Sequence, residues 1–588
     1  MCHVIVRKVG DTVEALYEYL SQAKDVYINV YIGVLRYAAP VLAFILLWRC
    51  LKPLMFFKRE PEIWAWLCME DGSKHALTHW ENVVGRSRSS DVRIDLSTVS
   101  RNHAVLTRYD DGSWTITDAN SRSGVFVNGN PVEICALEED DVINIGGLDM
   151  NLMPISAKQE RLMAQLRAQE GTGLDSIANL LLLSIFQCLL CLAFLLGGQF
   201  EGYAHIIRGF GGILICQWLL LIFYGIIRRS SFELETVAFF LCTLGMAVIC
   251  AVKPAETVKQ VISLALGILA YLLVGWSLRD LERAKKFRYL AVLMGVGFLI
   301  ITLLFGKEDN GAKAWLLIGN TTLQPSELSK VCFVYAGASA MDRLMNKRNL
   351  FGFILYSVVI CGCLALMNDF GTALIFFVAF LIIAYLRSGS VGTVGLACTS
   401  LGFAGVIAVK IAPHALRRFQ IWRHIWEDPY YLGYQQTRAI MCVASGGLFG
   451  LGAGRGLLKN VFAADSDLAF AAVCEEWGLL MGIMTVACIV AMGLFAIRSA
   501  SLARSSFYVI GACTAAGVML IQTILNCLGT VDIVPLTGVT FPFLSNGGSS
   551  MIGAWGLLAF IKAADTRQNA SFAVRLMKWR KGEQDEDE

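Results

Sequence analysis

Residues 177–196 read IANLLLLSIFQCLLCLAFLL, twenty consecutive positions without a charged side chain. A helix of that length rises about 30 Å, which matches the hydrocarbon core of a bilayer. Runs of this kind repeat along the chain. The expected spans are 26–57, 177–198, 206–227, 232–252, 257–278, 289–305, 326–341, 350–367, 369–386, 391–411, 470–497, 507–528 and 548–563, about thirteen transmembrane helices in all. Basic residues cluster in alternate connections, at Arg228 and Arg229, Arg279 to Lys286, Arg343 to Arg348, Arg387, and Arg498 with Arg504. By the positive-inside rule those connections face the cytoplasm, and 306–325, 412–469 and 529–547 face outward.

Composition agrees with a membrane protein. Of 588 residues, 56% are apolar (AVILMFWYC) and 16% charged, against about 25% charged in soluble domains. Net charge is +3, so no overall basic field points to nucleic acid. The charges are uneven: residues 58–170 carry 30 Asp, Glu, Lys and Arg, whereas 177–252 carry six. A water-soluble unit is therefore inserted after the first helix, which is read as uncleaved because it lacks a small-residue cleavage pattern. The expected organisation is an N-terminal segment 1–25, a helix 26–57, a soluble domain 60–155, a linker 156–176, a membrane domain 177–566 and a charged cytoplasmic tail 567–588. The 18 cysteines, among them Cys188, Cys191, Cys242, Cys250, Cys361 and Cys363, read as small buried apolar residues rather than a disulfide or zinc framework.

The soluble insertion has strand patterning at 114–117, 125–127 and 142–145, with turn pairs Asp111-Gly112 and Asn128-Gly129. It contains Gly85-Arg86-Ser87, Ser100-Arg101-Asn102-His103, Asp118 to Gly124 and Asn128-Gly129. These resemble the forkhead-associated (FHA) domain, an all-β sandwich. The resemblance implies that Arg86, Ser100, Arg101 and Ser121 hold a phosphothreonine, and that His103 orders the loops. Guanidinium and hydroxyl donors suit a phosphate of nearly two negative charges. The chain departs from the usual pattern at Ser123 and Val125, and a degenerate FHA scaffold used for docking is the alternative.

The membrane part carries Gly311-Ala312-Lys313-Ala314-Trp315, Gln324-Pro325-Ser326-Glu327-Leu328-Ser329-Lys330 and Asn368-Asp369-Phe370-Gly371. Gly433-Tyr434-Gln435-Gln436, Asp465-Ser466-Asp467, Glu475-Glu476-Trp477-Gly478 and Phe541-Pro542-Phe543-Leu544-Ser545-Asn546-Gly547-Gly548-Ser549-Ser550 follow. In this order they resemble the SEDS family, the FtsW/RodA/SpoVE group, over about 290–565. The resemblance implies a peptidoglycan glycosyltransferase in the bacterial plasma membrane; Arg49, Lys52, Lys58 and Arg59 after the first helix put the FHA domain in the cytoplasm, and the basic alternation leaves the catalytic loop extracytoplasmic. The resemblance implies Asp467 as the catalytic carboxylate that takes the acceptor hydroxyl's proton, and Lys313, Gln324, Glu327, Lys330, Gln435, Arg438, Arg455, Lys459, Ser545, Ser549 and Ser550 as substrate contacts. The partners implied are lipid II, a class B penicillin-binding protein, a phosphothreonine protein from a Ser/Thr kinase pathway, and membrane lipid, with no nucleic acid. No metal site is expected, and no cofactor is named beyond a divalent cation left open.

Simpler readings stand beside these. Asp467 would be a loop acid equal to Asp465 and Glu475; as a base, it should matter far more than Asp465, two residues away. Glu327 and Lys330, one turn apart, would be a buried ion pair. Asp369 beside Gly371 marks a helix break, and Gly450 to Gly456 a flexible or re-entrant loop rather than a nucleotide site. A lipid II flippase and a non-catalytic division scaffold are the rival functions.

Overall fold

The computed structural model describes residues 25–565 except 57–61, 88–89, 110–111, 139, 157, 160–161, 163–172, 198–201, 228, 230, 280, 310, 320, 342–346, 389–390, 412 and 501–504. The expected N-terminal segment up to residue 24, most of the 156–176 linker and the 567–588 tail lie outside the described residues.

Eleven strands build the insertion: β1 Ala65–Met69, β2 Lys74–Leu77, β3 Glu81–Gly85, β4 Val92–Arg93, β5 Ala104–Arg108, β6 Trp114–Asp118, β7 Val125–Val127, β8 Asn130–Val132, β9 Ile134–Leu137, β10 Val142–Ile145 and β11 Leu148–Pro154. They pair as two sheets, β2-β1-β11-β10-β7-β8 and β4-β3-β5-β6-β9. Alternate residues point inward, and Leu67, Val84, Leu106, Trp114, Ile116, Val125, Ile143 and Leu152 close a core between the sheets. Asn128 and Gly129 both take positive φ, as a tight hairpin turn between β7 and β8 requires. The sandwich touches the membrane bundle where the Ser506 hydroxyl donates to Glu81 Oε2 at 3.0 Å.

Among the described residues, ten helices are long and apolar enough to cross a membrane, against thirteen expected. The other three expected spans are also helical: Pro325–Met341 and Val391–Ile411, with Gly548–Ala563 the shortest at 16 residues. Glu233–Val252 lies at the centre, with 94% of its apolar window buried in protein. Small residues let neighbouring helices close in: a methyl on Gly267 would meet the Trp555 ring at 2.9 Å, and one on Gly553 would meet the Glu327 carbonyl at 2.9 Å.

Two expectations need correction. The single span 470–497 is broken into Ala469–Trp477 and Leu479–Ala500. Gly478 at φ +89 makes the break, and its bare α-carbon admits the Leu448 carbonyl, which any side chain would exclude. Of the cysteines read as buried, Cys242 and Cys250 are so, whereas Cys188 is exposed and Cys191, Cys361 and Cys363 are half-buried. On a helix in lipid, an apolar side chain facing outward meets hydrocarbon rather than water, so its apolarity does not place it in the protein core.

Two of the connections expected to face outward touch each other, the Trp422 indole donating to the Ile533 carbonyl at 3.1 Å. Residues 307–323 form a three-stranded sheet, β12 Lys307–Asp309, β13 Ala312–Ile318 and β14 Thr321–Leu323. Between 413 and 468 stand two α-helices, Pro413–Ile421 and Tyr434–Gly446, and a short 3-10 helix, Leu458–Asn460, joined by turns.

Candidate functional site

Asp467 ends a tight turn. The amides of Ser466, Asp467 and Leu468 all donate to the Ala463 carbonyl, and Ala463 itself takes φ 59. Three segments then converge on it. Asn526, inside the Ser506–Thr530 helix, donates through Nδ2 to the Asp467 carbonyl at 3.0 Å and to the Val539 carbonyl at 2.8 Å. The Ser545 hydroxyl donates to the Ser466 carbonyl at 2.6 Å and accepts from the Phe541 amide at 2.9 Å. Gly538, at φ +71, faces the carboxylate, and a methyl there would lie 3.2 Å from Asp467 Oδ2.

The two aspartates of this turn are not alike. Asp465 is buried, accepts from Lys253 Nζ at 3.0 and 3.1 Å, and accepts from Asn546 Nδ2 at 2.7 Å. Asn546 also donates to Glu256 at 2.7 Å, so Asp465 fastens the turn to the start of the Thr257–Leu278 helix. It thus has a structural role that the spacing alone does not reveal. Asp467 is half-buried and, among the described residues, makes no ion pair within 4.0 Å. Burial raises its pKa above the usual carboxylate value, against the downward pull of the Ser466 hydroxyl and the Arg418 guanidinium. Arg418, on the 413–421 helix, feels both Asp467 and Asp369, and its own pKa is lowered by burial. Glu475 has a third role: it accepts the amides of Leu457 and Leu458 at 2.8 and 3.0 Å, capping the loop that leads to the turn.

Several residues expected at the site come together. The Gln324 amide donates to Ser549 Oγ at 3.1 Å, and its side chain reaches Asp369 at 3.4 Å. Ser550 pairs with Thr540 at 2.8 Å, and Gln435 donates to the Phe462 carbonyl at 3.0 Å. Others are committed elsewhere. Lys313 Nζ donates to the Leu303 carbonyl at 2.7 Å, and Lys459 Nζ to the Gly454 carbonyl at 3.0 Å. Arg438 lies over the Tyr434 ring, and Arg455 donates to Asn29. Glu327 and Lys330 form a buried ion pair at 2.6 Å, the simpler of their two readings. Lys253, Glu256, Asn526 and Gly538 were missed; of these only Asn526, a polar residue within an apolar helix, carried a sequence signal.

The Gly450 to Gly456 run is not a free loop. Leu451 and Gly452 amides donate to the Glu475 and Glu476 carbonyls at 2.9 Å each, and a methyl on Gly456 would lie 2.6 Å from Glu475 Oε2. The glycines permit this close backbone approach.

At one end of the sandwich, the Arg86 and Ser87 amides donate to the Ser100 and Arg101 carbonyls at 3.0 Å each, which joins the two loops. Buried His103 accepts the Ser100 amide at 3.1 Å and reaches the Gly124 carbonyl at 3.1 Å. The Arg122 amide donates to Ser100 Oγ at 3.0 Å, which fixes that hydroxyl and leaves its own hydrogen available. Arg86 and Arg101 are exposed beside it. Ser121 differs: its hydroxyl is buried and, among the described residues, has no hydrogen-bond partner.

The FtsW/RodA/SpoVE cell cycle protein model matches residues 213–570, and the FHA domain model matches 82–146. The chain is 30% identical over 325 residues to the peptidoglycan glycosyltransferase RodA of Mycobacterium bovis, covering 52% of this chain and 69% of that one. It is 28% identical over 313 residues to a probable peptidoglycan glycosyltransferase FtsW of Wigglesworthia glossinidia brevipalpis, covering 51% and 80%. Among solved structures, a chain of a peptidoglycan synthase complex that coordinates polymerization and crosslinking aligns at 23% identity and TM-score 0.48, over 56% of this chain and 96% of that one.

Proposed function

Because the chain belongs to the FtsW/RodA/SpoVE family and carries an FHA domain, we propose that it is a peptidoglycan glycosyltransferase that joins lipid II units under phosphothreonine control. In this reading the 4-hydroxyl of an acceptor sugar attacks C1 of a donor sugar on undecaprenyl pyrophosphate. The new O–C1 bond forms, the C1–O bond to pyrophosphate breaks, and the proton passes to Asp467. Pyrophosphate leaves as a stable anion, so one base suffices where glycoside hydrolysis uses two carboxylates.

The observation that carries this reading is that the Asp467 carboxylate makes no ion pair among the described residues, whereas its neighbour Asp465 is held by Lys253 and Asn546. A base must be free to take a proton, and a raised pKa makes it a better acceptor. Arg418, facing the same carboxylate, is the cation best placed to hold developing phosphate charge. Arg86, Ser100 and Arg101 receive the phosphothreonine. A class B penicillin-binding protein and a kinase substrate are the partners, the sandwich is cytoplasmic and the Asp467 turn extracytoplasmic.

Purified full-length protein with lipid II should yield glycan strands, with and without a class B penicillin-binding protein. In a Cys-less background, an impermeant thiol reagent on intact spheroplasts should label Asp467→Cys and spare Arg86→Cys. The reverse labelling overturns the sidedness.

A further inference from the structure

The helix Asp25–Met55 lies outside the family-matched 213–570, yet it reaches the loop that presents Asp467. Its buried residues Ile32, Leu35, Ala39, Ala43, Leu46, Cys50 and Leu54 recur every three or four positions, which makes one continuous packed stripe. Tyr31 donates to the Leu189 carbonyl at 2.9 Å, and Arg49 donates to Asn179 at 2.8 Å. The helix is thus clamped near both ends to Gly173–Leu196, a second helix outside the matched region.

Its N-terminal half meets the 449–455 stretch at three points. Asn29 Oδ1 accepts from Arg455 Nη2. Ile32 sits on the bare α-carbon of Gly452, where a methyl would lie 2.7 Å from Ile32 Cγ2. Tyr37 and Phe449 pack ring to ring at 4.9 Å. From Gly452 the contacts continue without a gap. The run is bonded to the 475–476 backbone, Glu475 caps Leu457 and Leu458, and the chain then turns at Ala463 into Asp467.

We infer that the N-terminal end of the Asp25–Met55 helix is a positioning element for the catalytic turn, with Asn29 and Ile32 setting the 449–458 loop and through it the place of Asp467. This rests on the reading of Asp467 as the base. Neither residue is among the expected substrate contacts. They act by restricting where the carboxylate sits, and a small displacement of a base lowers turnover more than binding.

The test compares full-length wild type, Asn29→Ala, Ile32→Ala, Asn29→Asp and Asp467→Asn in lipid II polymerisation, with amide exchange of 451–467 followed by mass spectrometry. Asn29→Ala and Ile32→Ala should each lower kcat about tenfold with KM within about twofold. Exchange in 451–467 should quicken in both. Asn29→Asp retains an acceptor for Arg455 and should restore kcat and slow exchange. Unchanged kcat in both alanine variants while Asp467→Asn is inactive would remove the positioning role and leave Asp467 as base. So would a kcat loss in Asn29→Ala that Asn29→Asp does not restore. A fully active Asp467→Asn would instead remove the underlying reading.

Discussion

The carboxylate of Asp467 lies against the bare α-carbon of Gly538, so closely that a single methyl group there would stand 3.2 Å from Oδ2. The turn at 463–468 and the 531–547 loop are therefore fitted to each other at the point where a proton would be accepted. Asn526 secures the same junction from below by bonding one carbonyl from each.

Gly538→Ala tests that fit. Alanine at φ +71 carries a backbone strain of about 1–2 kcal/mol, and its methyl crowds Oδ2. Thermal unfolding should show a small loss of stability. Polymerisation should fall further, about tenfold, because the base is displaced. Equal losses of folded protein and of activity would mean that the glycine serves the loop alone.

Ionisation of Asp467 should cost the fold stability. Burial raises its pKa in the native state, so the native protein holds that proton more tightly than the unfolded chain. The stabilising contribution is complete below the unfolded value of about 3.9 and is lost as pH rises through the native value. Asp467→Asn, which never ionises, should therefore melt higher than wild type at neutral pH, with the gain vanishing near pH ~4. Activity of the wild type should fall on acidification at a pH above the ordinary carboxylate range.

Asp465→Asn should behave oppositely. It breaks the pair with Lys253 and weakens the bond from Asn546, bonds to a charged group worth about 1.5–3 kcal/mol each when buried. Because Lys253 is half exposed, its share is the smaller. Melting temperature and activity should drop together. The sign of the stability change, rather than the activity alone, thus separates the aspartate that holds the turn from the one proposed as the base.

Much of this was legible in the sequence. Among the described residues every expected span but the broken 470–497 is one helix, because hydropathy over some twenty residues needs no knowledge of neighbours, and the sandwich loops were readable because their motifs are local. The break at Gly478 was hidden, since the apolar pattern runs through it and its cause is the Leu448 carbonyl thirty residues earlier. The inequality of Asp465 and Asp467 was equally hidden. Lys253 lies 212 positions away and Asn546 81, so no window on the sequence pairs them. Resemblance singled out Asp467, and the geometry explains why its neighbour is unavailable. At Ser121 motif and structure say different things: its hydroxyl is buried without a partner among the described residues, whereas the Ser100 hydroxyl is held in place by the Arg122 amide.

For the sandwich, Arg86→Ala in the full-length protein should weaken binding to phosphothreonine peptides at least about tenfold, the loss of one charge-assisted contact. Ser121→Ala should leave binding unchanged. A wild type that binds plain and phosphorylated peptides alike would leave the domain as a docking scaffold.

The most direct measurement is lipid II polymerisation by purified Asp467→Asn beside wild type at matched amounts of folded protein. General-base contributions amount to about 10²–10⁴-fold, so glycan-strand formation should fall by that order while the variant stays folded. Strand yield equal to wild type would contradict the assignment of Asp467 as the base.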